Sequence, residues 1–131
     1  MDCEGDVQNL LRIFKAAADP TRLRILRMLA VKPLCVCEVM SVLGMAQSTT
    51  SKHLRILYDA GLIEEIPGGV WTVYRFVRPQ TRSVAAHLLD LIKKAEPTEQ
   101  SKRDEEQARG ADRERICRLR AEKTLKRQRR G

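Results

Sequence analysis

Residues 34–63 read LCVCEVMSVLGMAQSTTSKHLRILYDAGLI, and this stretch decides the fold. From about Ala46 to Ala60, Thr50, Leu54 and Leu57 recur at spacings of four and three, which gives a helix one inward face. Gln47, Ser48, Ser51, Lys52 and Arg55 fall on the other side. Gly44 and Gly61 bracket this helix, and glycine is the residue that most readily ends a helix in left-handed backbone. Ahead of Gly44, a shorter helix is predicted from about Cys35 to Leu43. Two short helices joined at a glycine make a helix-turn-helix.

Beyond Gly61 the apolar period drops to two. Leu62 to Ile66, a Pro67-Gly68-Gly69 turn and Val70 to Phe76 form the pattern of a β-hairpin with a glycine-rich tip. A further helix is predicted over roughly Thr81 to Ala95, with Val84, Leu88, Leu91 and Ile92 on one stripe. Upstream, Leu10, Leu11, Ile13, Phe14 and Ala17 mark a first helix ending near Asp19. Asp19-Pro20 reads as the N-cap and first turn of a second. Its inward side is Leu23, Ile25, Leu26 and Leu29, with Arg22, Arg24 and Arg27 in water and Pro33 closing it. The class is mainly α with a β-hairpin wing (α+β), a winged helix-turn-helix over residues 1–96. After Pro97 only Ile116, Leu119 and Leu125 are worth burying. Residues 97–131 are therefore expected to be a basic tail, disordered or marginally helical and dispensable for folding.

The 131 residues carry a net charge of +8, enough chain for one core. Residues 1–96 hold 13 Lys and Arg against 10 Asp and Glu, and residues 97–131 hold 12 against 7, so the basic excess lies mostly in the tail. Such an excess favours a polyanion partner without proving one. No run approaches the roughly 18 apolar residues that cross a bilayer, and the acidic start MDCEGDVQ is unlike a secretory signal. A cytoplasmic protein with no membrane partner is expected. There its four cysteines act as thiols, metal ligands or redox groups, rather than as a disulfide framework. Asp19, Glu38, Asp59 and the two histidines show no nucleophile–base spacing, and no glycine-rich phosphate loop follows a strand. Neither an enzyme nor a small organic substrate is expected.

A helix fills the major groove of DNA, and short polar side chains at its N-terminal end reach base edges and phosphates. Gln47 suits an adenine edge, and Ser48 and Ser51 donate to base or phosphate. Lys52 and Arg55 neutralise phosphates, and His53 serves either purpose. The wing tip Pro67-Gly68-Gly69 brings no charge, which leaves Arg75 and backbone groups there.

Residues from about 8 to 95 resemble the ArsR/SmtB family of bacterial metal-responsive transcriptional repressors. The likeness rests on AAADPTRLRIL (Ala16 to Leu26), LCVCEVM (Leu34 to Met40), QSTTSKHLRILYDAGLI (Gln47 to Ile63) and WTVYRF (Trp71 to Phe76). It implies a homodimer built on the first and last core helices, which binds a palindromic operator when metal-free and leaves it when metal binds. The family's zinc site on the last core helix is not matched: His87 and Asp90 stand in the wrong order, so His87 is assigned no metal.

Cys35-Val36-Cys37 is the sensing candidate. Two thiols in the first turn of a helix meet unsatisfied N–H groups and the positive dipole end, which favour thiolates. Residues i and i+2 of a regular helix point about 200° apart, so both sulfurs reach one ion only by deforming that turn. LCVCE matches the arsenic- and the cadmium/lead-sensing branches of the family. Arsenite and antimonite favour three thiolates, but the position one helical turn on is Met40, a poor substitute. Cys3, on a short N-terminal arm that reaches the partner subunit, is the expected third ligand, with Cys117 as the alternative. Three thiols in all favour As(III) or Sb(III) over Cd(II) or Pb(II). Cys117 also stands among Arg115, Arg118 and Arg120, which predicts a lowered pKa.

Two rivals use the same residues differently. A thiol-redox repressor would oxidise Cys35 and Cys37, although an i, i+2 disulfide is strained. A constitutive architectural DNA binder would keep its cysteines as core and attach mainly by its tail.

Overall fold

Local signals set most of the helix ends. The computed structural model describes residues 7–78 and 83–130. The first helix, α1 (Val7–Ala17), leads into α2 (Pro20–Val31), where Asp19 caps as expected: its carboxylate accepts from the Arg22 N–H at 3.0 Å and Pro20 takes the first turn. α3 (Val36–Leu43) ends at Gly44 with φ +69°, and α4 (Gln47–Asp59) follows. Left-handed backbone at Gly44 lets the chain turn sharply between the two helices. α5 covers Val84–Lys94, with the Ser83 hydroxyl accepting from the Ala86 N–H at 3.0 Å. It begins later than predicted, and Thr81 lies outside the described residues.

The wing holds one strand more than the sequence pattern suggests. β1 (Leu34–Cys35), β2 (Ile63–Gly68) and β3 (Trp71–Phe76) form an antiparallel sheet in the order β1-β3-β2. β1 pairs Leu34 with Tyr74 and Cys35 with Val73. Pro67 is no turn residue. It pairs with Thr72 in β2, an edge strand, where a missing N–H is tolerated. The two-residue tip is Gly69-Val70, with φ +73° at Gly69, as tight hairpins require.

One core gathers Ile25, Leu26, Val39, Leu54, Leu57 and Leu62 from three helices and a connection. Two sequence expectations fail at its edge. Leu23 is 41% exposed, and it shares an apolar groove with Phe14 (53%) and Leu91 (67%), so these residues face out of the protomer. The three α2 arginines are held by the protein, not by water alone. Arg22 donates to the Ala16 carbonyl at 2.7 Å, and Arg27 to the Ile92 carbonyl at 2.9 Å. Arg24 makes a two-pronged bond to Asp104 at 2.7 and 3.0 Å.

That last contact overturns the free tail. Residues 99–130 form α6 (Glu99–Arg109) and α7 (Arg113–Arg130), and α6 lies against α2 and α3 while α7 lies against α3. Ala108 is fully buried in the core and Asp104 is 1% exposed. What docks the segment is chiefly polar: Asp104 with Arg24, Glu105 with Arg27 at 3.2 Å, and the Lys32 amine on the Arg109 and Ala111 carbonyls. Such contacts leave no apolar stripe in the sequence.

Candidate thiol cluster and nucleic-acid interface

Cys35 occupies three roles at once. It ends β1, it is the N-cap of α3 with extended backbone (φ −87°, ψ 169°), and it is 2% exposed. It is not a residue of the first helical turn, so the opposed directions expected for i, i+2 helix residues do not apply. Its N–H donates to the Glu38 carboxylate at 2.9 Å, and the Glu38 N–H faces back toward the sulfur, a capping box with a thiol in place of a hydroxyl. Cys37 lies in the first turn of α3, half-buried.

α7 delivers the third thiol. Cys117 Sγ stands 3.9 Å from Cys35 Sγ, across 82 residues of chain. The Cys37 thiol is near enough to push the Cys117 pKa up. Four residues earlier on α7, and so on the same face, Arg113 donates to the Glu38 carboxylate at 2.8 Å. Glu38 is 1% exposed, so its charge is matched where it is buried. Among the described residues, no three Cys, His, Asp or Glu side chains already surround a point at metal-holding distance. The three thiols are gathered rather than converged. Cys3 lies outside the described residues.

Cys35 and Cys117 are not the thiolates that the sequence suggests. Burial first, and the Glu38 carboxylate next among the raising causes, push the Cys35 pKa up, although the Glu38 N–H pulls it down. Burial, then Cys37 and Cys35, push Cys117 up to about 12. The neighbouring arginines do not reverse this, and Arg113 spends its charge on Glu38.

On α4, Gln47, Ser48, Ser51, Lys52 and Arg55 are all exposed, while Thr50, Leu54 and Leu57 are buried. No side chain caps the first turn, so its N–H groups face outward beside Gln47 and Ser48, an arrangement that suits a phosphate. Arg55 reaches Asp59 at 3.2 Å and lies over the Tyr58 ring. His53 is also engaged inside the protein. It is half-buried, with Nδ1 3.3 Å from an Arg22 guanidinium nitrogen, so it ties α4 to α2. Arg75 is engaged too, donating to Glu64 at 2.7 Å along the wing.

Comparison with known proteins agrees with this architecture. Residues 19–65 match the model for bacterial regulatory proteins of the arsR family. An HTH-type transcriptional regulator of Methanocaldococcus jannaschii is 41% identical over 55% of this chain and 82% of its own length. The arsenical resistance operon repressor of Escherichia coli is 36% identical over 61% of this chain and 68% of its own. Regulators named for arsenical and for cadmium resistance both occur among the relatives. Among solved structures, the homodimeric winged helix-turn-helix domain of a possible ArsR-family regulator from Mycobacterium bovis superposes with a TM-score of 0.60 at 29% identity, over 71% of this chain and 83% of that one. An antimony-specific transcriptional repressor, AntR, gives 0.53 at 29% identity, over 70% and 81%. No described helix is long and apolar enough to cross a membrane. The chain belongs to the ArsR family: it is a winged helix-turn-helix transcriptional regulator and not an enzyme.

Proposed function

We propose that this protein is a repressor that binds a palindromic operator as a homodimer and releases it on capturing As(III) or Sb(III) through Cys35 and Cys37. The observation that carries the reading is the position of Cys35, which joins the wing ladder, the start of α3 and the thiol cluster. Drawing its sulfur onto a metalloid shifts the backbone that pairs with Val73 and caps α3, and α3 packs on α4. Wing and recognition helix are then displaced together. The outward groove of Phe14, Leu23 and Leu91 on α1, α2 and α5 is the surface assigned to the second copy. Gln47, Ser48, Ser51, Lys52 and Arg55 contact DNA, with His53 supporting α4 from behind.

Charge favours a metalloid over Cd(II) or Pb(II). Three thiolates around a trivalent centre are neutral, whereas around a divalent one they leave a net negative charge at a site where Cys35 is buried, which burial penalises. A relative named for arsenical resistance and a structural neighbour named as antimony-specific point the same way. A thiol-redox switch is the second reading, because Cys35 and Cys117 already stand 3.9 Å apart.

The test is fluorescence anisotropy in reducing buffer, on duplexes selected from a random pool by the protein itself. Stoichiometric arsenite is expected to weaken binding about a hundredfold, a coupling of about 2.7 kcal/mol. Cys35→Ser and Cys37→Ser should bind DNA normally and ignore arsenite. Lys52→Ala should weaken all sequences alike, and Gln47→Ala should relax base preference. Release by peroxide with no response to arsenite or antimonite would favour the redox switch and sink the metalloid reading.

A further inference from the structure

We propose that Cys117 is the third metalloid ligand and that the site closes within one protomer, the α6–α7 segment serving as a strap that carries this thiol to Cys35 and Cys37. The proposal rests on the reading of Cys35 and Cys37 as the sensor, and goes beyond it by supplying the missing ligand and giving the C-terminal segment a task. Three observations carry it.

The first is proximity. Cys117 Sγ lies 3.9 Å from Cys35 Sγ, two residues from Cys37, whereas the next sulfur along α3, at Met40, is a thioether and is buried. The second is registration. Arg113 and Cys117 lie one turn apart on α7, and they meet Glu38 and Cys35, which lie three residues apart at the start of α3. An ion pair at 2.8 Å thus sets the height at which the thiol arrives. The third is anchorage. Arg24–Asp104, Arg27–Glu105 and the Lys32 amine on the Arg109 and Ala111 carbonyls fasten α6 and the α6–α7 turn to α2. The strap is held from both ends of the turn, independently of the thiols.

The chemistry balances without an oxidant or a reductant. Arsenite enters as neutral As(OH)3. Three As–O bonds break and three As–S bonds form. The three thiol protons leave with the three hydroxyl groups as water, and arsenic stays trivalent.

X-ray absorption on the full-length, arsenite-loaded protein in reducing buffer counts the sulfurs directly. Three are expected in the wild type and in Cys3→Ser, and two plus a light atom in Cys117→Ser. Cys117→Ser should also bind arsenite at least tenfold more weakly while holding metalloid-free operator as the wild type does. Cys117→Ala, which leaves no polar group at this half-buried position, should give the same count and guards against a folding defect. Three sulfurs in both Cys117 variants with two in Cys3→Ser would overturn the proposal and place the third ligand on the N-terminal arm. Two sulfurs in the wild type would overturn it while leaving the sensor reading intact. A wild type that takes up no arsenite would remove both.

Discussion

At the scale of single residues, what a side chain is and whom it meets are different kinds of information. Cys35 and Cys37 are conspicuous from spacing alone, but their partner Cys117 is separated from Cys35 by 82 residues, and nothing in the intervening pattern announces the meeting. The environment follows the partner. A helix N-terminus and nearby arginines argue for thiolates, yet the loss of water around the cluster outweighs both, and the Cys117 thiol rises to about 12. A group whose folded pKa exceeds its unfolded value stabilises the fold fully below the unfolded value, here the ordinary 9.0, and ceases to do so as pH climbs through about 12. The docking of α7 should therefore weaken progressively above about pH 9. At pH 8, iodoacetamide should modify Cys35 and Cys117 much more slowly in the native protein than in urea, with mass spectrometry of digests as the readout. Labelling of Cys117 at the unfolded rate would show that the thiol is neither buried nor raised.

At the scale of elements, the legible parts are those whose causes are local. Asp19-Pro20, Gly44 and the three-four spacing of Thr50, Leu54 and Leu57 each act within a turn or two, and α2, α3 and α4 lie where they say. β1 is too short to show a period. The strap escapes for another reason: its one fully buried apolar residue is an alanine, and the ion pairs that hold it reach α2 and α3 across about 80 residues of chain. Those pairs make a specific demand. Asp104 is almost fully buried, and removing it leaves the Arg24 guanidinium, about a quarter exposed, without its two-pronged acceptor. Asp104→Ala should cost the docked strap about 3 kcal/mol, the low end for breaking a buried pair, because Arg24 keeps some water. Hydrogen exchange should speed up across α6 and α7 while the amides of α4 stay protected. Unchanged protection in α6 would mean that the strap is held by something other than this pair.

At the scale of the whole molecule, α2 joins the two halves of the architecture. One side bears Leu23 on the groove assigned to the second copy, and another bears the arginines that hold the strap. The domain division expected at Pro97 is thus a division in composition but not in space, since Ala108 completes the same core as Leu26 and Val39. The contact between Cys35 and Cys117 has one more consequence, which concerns the unfolded chain rather than the folded one. An atom bonded to both sulfurs would tie a ring of about 80 residues in the denatured protein, as a disulfide does. By the chain-entropy estimate, such a ring destabilises the unfolded state by about 4.5 kcal/mol. Arsenite should therefore raise the thermal midpoint by on the order of 10 °C, and Cys117→Ser should abolish most of that rise. A midpoint unmoved by saturating arsenite would rule the ring out. On the proposed mechanism, a ring makes the metalloid-loaded form harder to unfold than the metalloid-free protein, and induction leaves behind a durable protein rather than a spent one.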